Sequence, residues 1–348
     1  MHGTDRILAI DVGGGTQDIL LYEADKPIEN CVKLVLPSRT AMLAARVRAA
    51  TEAGRPVFLT GNLMGGGPLK SALKKHIAAG LDVYSTPRAG KTFRDNLDQV
   101  RQMGILIEDE PPVLENLLTL HTCDVDVAAL SDALGRFDVT IPDTYAVAVQ
   151  DHGESLHGSN RKFRFDLWRR FLEAGGLLTD LVYADVPPAF TRMKAVQADL
   201  PDAVLMDTGA AAVWGAFCDG QVEARRDEGV VIVNVGNQHC LAVLVQQEQV
   251  WGLFEHHTAM MSPVKVADYV DRLRTGNLTN DEVFDDRGHG CSIRDDLPNA
   301  PFDFVAVTGP RRDLAADLGY YLAVPHGDMM LSGCFGLVEG LKATTTRA

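Results

Sequence analysis

The sequence has no closely spaced cysteines. Its six thiols, at positions 31, 123, 218, 240, 291 and 334, form no C-x-x-C unit, which excludes a zinc ribbon or a thioredoxin-type pair. Scattered thiols fit a reducing compartment, and the expected location is cytoplasmic. Basic charge is also scarce, with 33 Lys and Arg against 47 Asp and Glu and a formal net charge of −14. That balance argues against a nucleic-acid partner and against docking on anionic lipid. No apolar run approaches transmembrane length, and no signal-peptide core precedes the first strand, so no membrane partner is expected. A P-loop is missing as well. Gly90, Lys91 and Thr92 mimic its ending, but Ser85 stands where its first glycine belongs. What remains is an ordinary globular mixture, 46% hydrophobic and 23% charged over 348 residues, long enough for two or three domains.

The most informative stretch is R-I-L-A-I-D-V-G-G-G-T-Q-D-I-L-L-Y-E, residues 6–23. Two β-type runs flank Gly13, Gly14 and Gly15, which reads as a hairpin with a Gly-rich turn. Glycines let backbone approach a ligand, and successive N–H groups form an anion-binding nest. Asp11 at the edge of that nest is placed to hold Mg²⁺. A related pattern recurs at 229–245, G-V-V-I-V-N-V-G-N-Q-H-C-L-A-V-L-V. Between the two, short strands alternate with helices, as in layered α/β folds. The second Gly-rich turn, at 65–68, opens a helix and offers its N-terminus to an anion.

Several segments carry plainer expectations. A helix is expected over 92–103 and a strand over 182–186. Residues 150–160, with Asp151, His152, Glu154 and His157, read as a polar surface loop with conceivable metal ligands. The basic helix that follows, with Arg161, Lys162, Arg164, Arg169 and Arg170, reads as a solvated face. Asp207-Thr208-Gly209 resembles half of an aspartic-protease dyad, but no second copy exists to share a proton.

Five motifs, in order, resemble those of the actin, heat-shock chaperone and sugar kinase superfamily of ATPases. The opening hairpin resembles its first phosphate motif and D-T-G-A-A-A-V-W-G-A-F its first connecting helix. V-I-V-N-V-G-N-Q-H resembles the second phosphate motif, V-A-V-T-G-P-R-R the adenosine motif, and G-D-M-M-L-S-G-C-F-G-L-V-E-G-L the second connecting helix. The resemblance implies a two-lobed, actin-like (ribonuclease H-like) α/β fold with a cleft. Residues 1–217 would form lobe I, 218–326 lobe II, and 327–348 a helix returning to lobe I. It further implies ATP or ADP with Mg²⁺ in the cleft. Asp11 and Asp207 would hold the metal, and Gly13, Gly14, Gly15, Thr16, Gln17, Gly236, Asn237, Gln238 and Gly309 would contact the nucleotide. The implied activity is an ATPase or phosphotransferase acting on a small molecule. The rival readings are a metal-dependent enzyme using His152, His256, His257 and His289, or a non-catalytic nucleotide sensor.

Two departures from the superfamily pattern bear on nucleotide affinity. Asn234 replaces the usual Asp of the second phosphate motif and brings no charge. Pro310 stiffens the adenosine turn, where Gly309 alone remains of a glycine pair.

Within the superfamily, M-G-G-G-P, E-H-H-T and D-R-G-H-G resemble a prokaryotic family, some of whose members carry the label pyruvate formate-lyase activating enzyme. Such activases need closely spaced thiolates for an iron–sulfur cluster. The sequence has no C-x-x-x-C-x-x-C, so no cluster is expected. Glu255, His256 and His257 end a strand, where successive side chains face opposite ways. One histidine alone can then face the cleft. His257 is expected there as a general base beside Glu255, with a raised pKa.

Overall fold

The computed structural model describes residues 4–155 and 158–347. Its strands fall into three sheets. β1 (Arg6–Val12), β2 (Thr16–Glu23) and β3 (Val32–Pro37) form an antiparallel meander. β4 (Val57–Gly61), β5 (Val83–Ser85), β6 (Ile105–Ile107) and β7 (Leu118–Thr122) then form a separate parallel sheet. β8 (Tyr145–Val149) and β9 (Val204–Met206) return to the first sheet, parallel to β1. Its order is therefore β3-β2-β1-β8-β9.

The second half repeats this plan. β10 (Val230–Val235), β11 (His239–Gln246) and β12 (Gln249–His257) form an antiparallel meander, with β13 (Gly290–Ile293) on its edge. β14 (Phe304–Thr308) and β15 (Tyr321–Leu322) run parallel to β10 on its other side. A meander of three strands followed by two parallel strands thus occurs twice. This duplicated topology is the two-lobed, actin-like α/β fold.

Alternation along the central strands explains how the lobes join. Ile7 and Ala9 of β1, with Val230 and Ile232 of β10, enter one shared core. Leu8, Ile10 and Val12 face the outer core of the first lobe, and Val231, Val233 and Val235 that of the second. Both faces of each strand are covered, so the strands read as continuous apolar runs. The helices Thr208–Ala216 and Ser332–Arg347 fill the shared core. Small residues bring their backbones together. A Cβ on Gly215 would lie 1.8 Å from the Ser332 carbonyl, and one on Gly336 would lie 1.9 Å from that of Ala211.

Two local expectations fail for identifiable reasons. Residues 182–186 form no strand; they make an isolated bridge between Tyr183 and Leu205 before Pro187 and Pro188. The helix expected over 92–103 is confined to Leu97–Gln102, because the Asn96 side chain accepts the Asp98 N–H at 2.8 Å and caps it there. Among the described residues, no helix is long and apolar enough to cross a membrane.

Candidate functional site in the interlobe cleft

Two matching turns face each other across the cleft. In the first, the Gly13 N–H bonds the Thr16 carbonyl at 2.9 Å; in the second, Gly236 bonds His239 at the same distance. Asp11 and Asn234 each stand two residues before the turn glycine, so they are structural counterparts. Between the turns lies a cavity of about 360 Å³, lined in part by Asp11, Gly13, Gly14, Thr16, Asp18, Asn234, Gly236, Asn237, Gln238 and Gly309. The Gln238 amide covers Gly14 so closely that a Cβ there would meet its Nε2 at 2.2 Å. Gln17 departs from its expected place: its Nε2 donates to the Pro37 carbonyl at 3.0 Å and turns away from the cavity. Gly15 also lies outside the wall, with Asn237 over it.

Asp11 pairs with Asp18 across the hairpin, so both carboxylates stand on one face. Burial pushes the Asp11 carboxyl well above its ordinary range, and the charges of Asp18 and Asp207 add to that. Burial likewise raises Asp18, to about 7. One carboxylate oxygen on each is buried without a hydrogen-bond partner. The cavity's cationic side chains are engaged elsewhere: Lys91 with Glu154 at 2.9 Å, Arg192 with Asp124 at 2.7 Å, and Arg164 as follows.

Arg164 is buried, contrary to the solvated face expected of its helix. That helix, Asn160–Glu173, points the guanidinium inward, where it bonds both Asp207 oxygens at 2.9 and 3.1 Å and also reaches Glu255. The Asp207 carboxylate further accepts the N–H groups of Gly209 and Asp151. These four bonds engage both lone pairs of each Asp207 oxygen, so Asp207 is no free metal ligand. Glu255 also accepts from Gln150 Nε2 at 2.7 Å. Burial alone would raise its carboxyl, but Arg164, with His239 and His152, holds it below the ordinary value.

β12 continues through both histidines at its end. His257 lies on the Glu255 face, opposite His239 on β11. His256 turns into the lobe II interior, fully buried, with Nε2 3.1 Å from an Asp286 carboxylate oxygen that also binds Lys265 and Tyr269. It is absent from the cleft and cannot serve there as a metal ligand. His257 differs from expectation in its charge. Burial lowers its pKa, and His256 and Arg161 lower it further, outweighing Glu255, whose charge is taken up by Arg164.

The loop at 150–160 is no surface loop at its start. Asp151 is buried because its carboxylate accepts the N–H groups of Gly153, Arg192 and Met193 at 2.8–2.9 Å. That anchor aims His152 into the cleft, where its Nε2 meets His289 Nε2 at 3.1 Å. His157 lies outside the described residues. The His289 N–H bonds the Glu255 carbonyl at 2.8 Å, which fixes it beside β12. Ligand atoms of His152, His239, Glu255 and His289 all lie within 4.8 Å of one another. Burial depresses His239 to about 4 and lowers His152 and His289 as well, so the three imidazoles are neutral near pH 7.

Sequence reasoning missed Asp18, Arg164 and the role of His239. The hairpin register, which sets Asp18 beside Asp11, was the available signal for the first. The equal parity of His239 and Leu241 against Glu255 and His257 on paired strands was the signal for the last. Nothing local marked Arg164, whose partners lie 43 and 91 residues away.

Duplicated sheets around an acidic cleft with two glycine turns define a protein of the two-lobed, actin-like α/β fold class. A family described as "Putative pyruvate format-lyase activating enzyme (DUF1786)" matches residues 64–314, and the chain belongs to that family. Solved structures similar to it include the Lmo2764 protein of Listeria monocytogenes, provisionally assigned as an N-acetylmannosamine kinase (8% identity, 98% of this chain and 99% of that one, TM-score 0.35). Another is the apo psk41 ParM protein (9% identity, 99% of each chain, TM-score 0.33). No curated protein matches.

Proposed function

We propose that the cleft binds ATP or ADP with Mg²⁺ and that the protein is an ATPase or a phosphotransferase acting on a small molecule. The observation that carries this reading is the Asp11–Asp18 pair between the two glycine turns. Each carboxylate keeps an orphaned buried oxygen, and the nearest cationic side chains, Arg164 and Arg192, are paired with Asp207 and Asp124. Two adjacent carboxylates with free oxygens suit a hard divalent cation, whereas they would repel naked phosphates. Asp11 and Asp18 would hold the ion, which when bound neutralises phosphate charge. The Gly13, Gly14 and Gly236 backbones would line the phosphates, and Gly309 would lie under the nucleoside.

The protein's own part is positioning and charge neutralisation, as in phosphoryl transfer generally. Asn234, the counterpart of Asp11, would offer a neutral acceptor oxygen on the opposite turn without adding charge. Glu255 lines the same cavity, and His257, on its face of β12 beside His239 and His289, would be a neutral base for a substrate hydroxyl that reaches it. The six unpaired thiols are in keeping with a cytoplasmic protein. No cysteine belongs to the convergent ligand group, so radical activase chemistry is not part of this proposal.

The test is calorimetric titration of the full chain with ADP and ATP, with and without Mg²⁺, followed by ATP turnover assays. Binding that requires Mg²⁺ and is lost in Asp11→Asn supports the reading. Tight binding with no turnover would favour the sensor role.

A further inference from the structure

A second group of ligating side chains, sharing no residue with the Asp11–Asp18 pair, converges at the cleft. His152 arrives on the loop after β8 of lobe I. His239, Glu255 and His289 arrive on β11, β12 and the turn before β13 of lobe II. Backbone and loop contacts fix all four, and the Glu255 carboxylate, which already accepts from Arg164 and Gln150 with one bond to each oxygen, keeps a second lone pair on each for an ion. The Asp151 anchor holds the His152 loop, and β-pairing holds His239 and Glu255 on one face. The backbone bond to Glu255 holds His289. His289 is 2% exposed, and its Nδ1 has no hydrogen-bond partner.

We infer that His152, His239, His289 and Glu255 form a binding site for one divalent first-row transition ion, separate from the Mg²⁺ of the nucleotide. Three imidazoles and one carboxylate suit Zn²⁺, Fe²⁺ or Co²⁺, whereas Mg²⁺ prefers all-oxygen surroundings. Imidazole bonds of 2.0–2.1 Å in a tetrahedral site imply ligand atoms about 3.4 Å apart. The His152–His289 separation of 3.1 Å and the overall span of 4.8 Å bracket that value, so only small side-chain adjustments are needed.

Charge decides what else binds. Arg164 lies between Asp207 and Glu255, which leaves the buried triad one negative charge in excess. A divalent ion turns that into one positive charge. A buried uncompensated charge is costly, so an anionic ligand (hydroxide, or a carboxylate or phosphoryl oxygen of a substrate) completes the site. His152, His239 and Glu255 line the cavity, so the open position faces the cleft. Because both lobes contribute ligands, the ion also ties them together. The inference does not depend on nucleotide binding.

The test uses the full chain stripped with chelator and titrated with Co²⁺, read by its visible absorption and by metal analysis. One Co²⁺ per chain, not displaced by millimolar Mg²⁺, is expected. His239→Ala and His289→Ala should each weaken binding at least ~100-fold, since ligand loss exceeds the 10–100-fold effect of outer partners. The exposed His121→Ala should leave it unchanged. X-ray absorption of the cobalt-loaded wild type counts imidazoles without any variant, and three are expected. Failure of the folded wild type to bind Co²⁺, binding indifferent to both variants, or fewer than two imidazole ligands would overturn the inference.

Discussion

The Nε2 atoms of His152 and His289 stand 3.1 Å apart although 137 residues separate them in the chain. Without an ion, that contact is a hydrogen bond only if one imidazole carries its proton on Nε2 and the other does not. Protonating both would set two cations face to face in a buried place. The contact therefore joins the lobes while both rings are neutral and comes apart when they charge.

A pH dependence follows. Burial depresses the folded-state pKa of His239 to about 4 and lowers His152 and His289 too. An unfolded histidine titrates near 6.5. The unfolded chain thus binds more protons below that value, and the histidines' stability contribution, complete above pH 6.5, is lost as pH falls towards 4. The metal-free protein should lose on the order of 2–3 kcal/mol over this range through His239 alone. Denaturant titrations at pH 7 and pH 4.5 check this, and His239→Asn should flatten the difference.

Arg164 should be the most costly charge to remove. Truncating it leaves Asp207 and Glu255 buried without their cation, and breaking a buried pair typically costs about 3–5 kcal/mol. Arg164→Ala should lower the melting temperature sharply. Adding Asp207→Asn and Glu255→Gln should recover part of the loss, because the stranded charges go with them. Thermal unfolding of the wild type, Arg164→Ala and the triple variant measures both effects.

Two glycines should respond differently to the same methyl group. On Gly215 it meets the Ser332 carbonyl at 1.8 Å, a backbone atom on the neighbouring helix. Gly215→Ala should cost about 1–3 kcal/mol or more through overpacking. On Gly14 it meets only the far end of the Gln238 side chain, which can swing aside. Gly14→Ala should keep its melting temperature within about 2–4 °C of the wild type, under about 1 kcal/mol, while weakening ADP binding, since it narrows the first turn. Unfolding and binding assays on both variants separate the two cases.

The duplicated hairpins and the two connecting helices were legible because they rest on local signals: apolar runs, turn glycines and small residues at helical spacing. The strand expected at 182–186 failed because side-chain type says nothing of pairing, and only Tyr183 found a partner. The polar character of 150–160 suggested solvent, but Asp151 draws the loop inward by capping three backbone N–H groups. Parity along β12 was enough to separate His256 from His257. The ion pairs of Arg164 join a helix to two strands from distant parts of the chain, and no local pattern encodes them.

The most direct test of the central claim is calorimetric titration of ADP into the full chain, with and without Mg²⁺, on wild type and Asp11→Asn. The account predicts binding in wild type that depends on Mg²⁺ and is weakened at least ~10-fold by the substitution, which corresponds to about 1.4 kcal/mol. Absence of binding at millimolar ADP and Mg²⁺, or binding unchanged by both omission of Mg²⁺ and loss of the Asp11 charge, would contradict it.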